Sequence, residues 1–104
     1  MSYKHNNLIA MRQNYWNDRS ENVQNEKQLL RQILMDEGIF QYATLDDARY
    51  LFFSLPSIVI VKAYAAGFYD YKVKQMVIEF IQQNRLALMG KSYLKIQYQM
   101  SSLR

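Results

Sequence analysis

Residues 62–95 hold the side chains best suited to chemistry. Tyr71, Lys72, Lys74 and Gln75 open a strongly periodic segment, and Arg85, Lys91 and Lys95 follow it. Lysine and glutamine can read base edges, and lysine and tyrosine can reach phosphates. Just before them, Ala63 and Gly67 stand four positions apart. A helix-turn-helix wants a small residue in its first helix, a glycine in the turn, and apolar residues locking the second helix. Val73 and Met76 suit the locking positions. Against that motif, Lys62 stands where an apolar residue is common. Asp70 places a carboxylate where phosphate would approach, and the second helix is long for a recognition helix. A plain αα-hairpin shows the same Ala and Gly pair.

The charge follows a similar division. The chain carries +4 overall. Residues 1–61 hold six Lys or Arg against seven acids, whereas residues 62–104 hold seven against only Asp70 and Glu79. A basic C-terminal half suits an anionic partner, DNA being the first choice, or is simply a solvated basic face.

Tyrosine gives a second reading. Nine of the 104 residues are Tyr, and Tyr64, Phe68, Tyr69 and Tyr71 gather within eight positions around Gly67. Tyr is favoured at interface hot spots. Rings also fill cores with their hydroxyls at the edge, yet four so close together are hard to bury whole. Tyr64, Phe68 and Tyr69 are therefore expected to contact a protein partner. Val23 with Trp16 nearby offers a surface for a homodimer on the same logic.

Catalysis finds little to work with. There is no cysteine, and the one histidine, His5, lies in a polar N-terminal stretch. No nucleophile and base pair can be built around it. Asp36-Glu37 and Asp46-Asp47 fall at expected helix ends, where capping accounts for them. Gly90-Lys91-Ser92 matches the end of a phosphate-binding loop, but Arg85 stands where its first glycine belongs, and a helix precedes it instead of a strand. No catalytic residue, cofactor or metal ligand is expected, and the chain reads as a non-catalytic binding protein.

The elements that must place these residues are helical. Three glycines and one proline are too few for many strands and hairpins. One all-α domain over 1–104 is expected, a bundle of five or six helices with residues 1–7 frayed and a helix-turn-helix-like hairpin at about 56–88. Leu8, Ile9, Met11, Tyr15 and Trp16 place a first helix near 6–17. Ser20 caps a second over about 21–37, whose early part (21–28) is weakly apolar and expected to be exposed or loose, with Gly38 ending it. Thr44 caps a third over about 45–54. Pro56 sits in the first turn of a fourth, 56–66, although the β-branched run 58–61 also suits a strand. Asp70 caps a fifth over 71–88 that Gly90 closes, and an amphipathic segment covers 91–101. No apolar run reaches the roughly 18 residues of a membrane span, and no signal-peptide core is present. The expectation is a cytoplasmic protein without membrane contact.

Overall fold

Ser20, Thr44 and Asp70 each stop the chain in an extended conformation and start a helix. Each side chain accepts from amides that the first helical turn leaves unpaired. Ser20 Oγ takes the Val23 amide at 3.4 Å, and Asp70 Oδ1 takes the Lys72 amide at 2.9 Å. Thr44 forms a full capping box: its hydroxyl accepts from the Asp47 amide at 3.2 Å, and Asp47 Oδ2 accepts from the Thr44 amide at 2.8 Å.

A computed structural model describes residues 2–90, with side chains from Leu8 onward. Five helices follow in order: α1 Ser2–Asn17, α2 Glu21–Asp36, α3 Leu45–Ser54, α4 Ser57–Ala66 and α5 Tyr71–Gln83. Helical backbone resumes over 85–90. The fold is all-α, as composition predicts, and no strand occurs among the described residues. The segment 91–101 lies outside them.

The β-branched run is helical, and the helix begins at Ser57 with Pro56 as its cap. Leu55, before the proline, is extended at φ −63° and ψ 145°. The chain bends there by 113° between α3 and α4. Gly38 ends α2 at φ 74°, a left-handed value that suits glycine. The Ile39 amide donates to Leu34 O and the Gly38 amide to Met35 O, both at 3.0 Å. Ile39 and Leu34 are both buried, so the turn that closes the helix also delivers the connector to the core.

Three boundaries differ from expectation, the first being α1, which begins at Ser2 and not near residue 6. α5 stops at Gln83, where the Asn84 backbone leaves the helical region with φ −114° and ψ 22°. The Asn84 side chain adds a cap there: Nδ2 donates to Phe80 O at 2.8 Å, beside the Asn84 backbone amide at 3.0 Å. Gly90 does not close the helix, since the backbone is still helical at 90.

α2 packs on α3, α1 on α3, and α4 on α5. Phe52 lies where they meet, 1% exposed. Its ring centroid is 5.4 Å from Trp16, 5.5 Å from Tyr15 and 6.2 Å from Phe68. The early part of α2 is not loose: Val23 and Glu26 are buried with Leu30 on one stripe. Val23 and Trp16, expected at a dimer surface, are both buried within the chain. Lys27 lies 4.7 Å over the Trp16 ring. Phe52→Ala is expected to lower the unfolding free energy by about 3–5 kcal/mol in urea titrations. Tyr42→Ala, on a ring 69% exposed, should cost less than about 1 kcal/mol.

Candidate functional site

The corner between α4 and α5 is set by Gly67, at φ 78° and ψ 160°. That combination is essentially confined to glycine. The Gly67 amide donates to Ala63 O at 2.6 Å, and the Asp70 amide to Gly67 O at 3.3 Å. Asp70 then caps α5. Beneath the corner lies Glu26 of α2, 7% exposed. Its carboxylate accepts from the Phe68 amide, and Oε2 has no hydrogen-bond partner. A Cβ added to Gly67 would sit 3.1 Å from Glu26 Oε1. Loss of hydration raises the Glu26 pKa above the ordinary carboxylate value, and the Phe68 amide offsets part of that rise. The Tyr69 phenol is also raised, first by burial and then by the Glu26 charge.

The four aromatics of the corner divide into two kinds. Phe68, expected at a partner surface, is 1% exposed and packs edge-on against Phe52 and Tyr15. It belongs to the core because the turn points it inward. Tyr64 is partly committed: its hydroxyl donates to the Met11 carbonyl, and its ring centroid lies 4.8 Å from that of Tyr15. Tyr69 and Tyr71 are largely exposed.

The residues expected to meet nucleic acid do not form one cluster. Lys72 is exposed, whereas Lys74 and Gln75 are half-buried. Asp70 Oδ1 accepts from the Lys72 and Val73 amides, the groups a phosphate would use at this helix start. Arg85 is directed to the end of α2, where Nη1 donates to Glu37 O at 2.7 Å. Lys91 and Lys95 lie outside the described residues. Other basic side chains serve the fold: Arg31 Nε donates to Ala43 O at 2.7 Å, and Arg49 lies 4.8 Å over the Phe53 ring.

A different surface stands out on α4. Val59, Ile60 and Ala63 are buried, while Ile58 and Val61, on the outward side, are 56% and 53% exposed. A groove of about 160 Å³ runs beside Ile58, between Pro56 on one side and Met76, Glu79 and Phe80 of α5 on the other. Residues 58–61 are all apolar, so periodicity alone does not separate the two faces. The spacing of Val23, Glu26 and Leu30 does put that acid on the buried stripe.

Among the described residues no three of His, Cys, Asp and Glu are grouped to hold a metal ion. Comparison with known proteins returns no matching family model, no matching curated protein and no matching solved structure.

The Glu26 environment carries a pH signature. Its folded-state pKa is raised, so between the ordinary carboxylate value and the raised one the folded chain holds a proton that the unfolded chain releases. Stability therefore falls as pH climbs through that window. Glu26→Gln is expected to melt higher than wild type at pH 7 and to converge with it near pH 4, the model-peptide range for Glu. Melting curves across that range check it, and identical pH slopes in the two proteins refute it.

Proposed function

We propose that this protein is non-catalytic and acts by binding another protein through the outward side of the α4–α5 hairpin. The observation that carries this reading is the outward side of α4, where Ile58 and Val61 stand exposed beside Lys62 while the opposite side meets the core. Large apolar side chains exposed together mark an interaction surface. Ile58 and Val61 are nearly one turn apart, and Ala65 continues the line without bulk. At the corner end, Tyr69 and Tyr71 supply exposed rings of the kind that dominate binding energy. A second copy of the chain is the first partner to test, since an apolar ridge of this kind can pair with itself about a two-fold axis.

A charge reversal on that ridge provides the test. The Ile58→Arg/Val61→Arg double variant keeps the wild-type melting temperature, because both side chains point to solvent. Wild type is expected to self-associate in sedimentation equilibrium, and the double variant to do so at least about ten-fold more weakly. If the double variant associates as wild type does, this surface is not the interface.

A second reading retains one support. Tyr71 and Lys72 are exposed side by side at the start of α5, within reach of a nucleic-acid backbone. It predicts a low-salt mobility shift with duplex DNA that weakens steeply as salt is raised and is reduced in Lys72→Ala. No shift at micromolar protein removes it.

A further inference from the structure

A cleft of about 350 Å³ opens where α1, the end of α3 and the start of α4 meet. Leu8, Ile9 and Phe53 make its apolar walls, and Arg12 and Ser57 supply its polar groups. Arg12 is held in place by one end. Nη1 donates to the carbonyls of Phe52 and Phe53, each at 3.2 Å. These oxygens lie in the last turn of α3, where helical donors run out. Both are neutral acceptors. The other group whose charge bears on Arg12 is the Tyr64 phenol, and burial lowers the guanidinium pKa. Among the described residues no carboxylate pairs with it.

The result is a half-buried cation without a counter-ion among the described residues, fixed at one edge and set among apolar side chains. A carboxylate is the planar complement of a guanidinium edge. A single positive charge suits a monoanion better than a phosphate carrying two. At about 350 Å³ the cleft stands at the small end of ligand sites, roughly 300–1,000 Å³, which favours a short tail over a long chain or a nucleotide.

We infer that this cleft binds a small amphiphilic carboxylate of the medium-chain fatty-acid class. The head pairs with Arg12 beside the Ser57 hydroxyl, and the tail lies against Leu8, Ile9 and Phe53. The cleft shares no lining residue with the ridge of Ile58 and Val61, and octanoate binding is read without reference to self-association.

Octanoate is the probe, titrated into the full-length ¹⁵N-labelled protein. Saturable shifts confined to the amides around Leu8, Arg12, Phe53 and Ser57 are expected. Octanol, with the same tail and no charge, binds at least about ten-fold more weakly. Arg12→Gln weakens octanoate by a similar factor. That variant also removes a clamp on α3, so Ile9→Glu provides a second one. Position 9 is 42% exposed, so the fold tolerates a carboxylate there, and its charge repels the head. The inference is overturned if octanoate causes no saturable shift, if octanol binds equally well, or if Ile9→Glu binds octanoate as wild type does.

Discussion

Phe68 carries the corner between α4 and α5 into the aromatic core. Its ring closes against Phe52 and Tyr15, while its backbone amide is taken by the Glu26 carboxylate. One residue therefore ties the C-terminal hairpin to α1, α2 and α3 together. The contacts are of opposite character. The ring contributes non-directional burial, about 25 cal/mol per Å² of apolar area. The amide faces a buried carboxylate and offsets part of the cost of its charge. The ring acts beside Ile60, Val77 and Ile81, which are fully buried in the same core, and beside Arg85, which ties α5 to the end of α2.

The chain's cations follow a second common theme. Arg12 and Arg85 each donate to a backbone carbonyl at or just beyond the C-terminal end of a helix, and Arg31 donates to the Ala43 carbonyl just before α3. At the first two positions carbonyls lack helical donors and the helix dipole is negative. The guanidinium groups thus serve as clamps between elements, Arg85 joining α5 to the end of α2 and Arg12 joining α1 to the end of α3. A positive net charge arising this way does not imply a basic face. Three of the residues that make up the excess, Lys91, Lys95 and Arg104, lie beyond the described fold.

Much of the fold was legible in the sequence because caps are local. Ser20, Thr44 with Asp47, Gly38 and Asp70 each act within a few residues, so the sequence alone places the helix starts and the end of α2. The break at Asn84 was not legible, since a periodic apolar face runs across it and the interruption is a backbone turn at one residue. The surface was harder. Ile58 and Val61 are as apolar as Val59 and Ile60, and which pair faces the core depends on the 113° bend after α3 and on where α5 lies. The burial of Glu26 and Phe68 likewise depends on a contact forty-two positions apart in the chain, which no local pattern contains.

The pairing of Gly67 with Glu26 has an unequal consequence for how this sequence can drift. Two constraints hold residue 67: its positive φ and the 3.1 Å approach of Glu26 Oε1 to any added Cβ. A shorter side chain at 26 relieves the second and leaves the first. Position 26 answers only to the need for an acceptor opposite the Phe68 amide. Among natural variants of this chain, glycine at 67 should persist even where 26 has changed. The acid, although buried and chemically conspicuous, is the more replaceable partner.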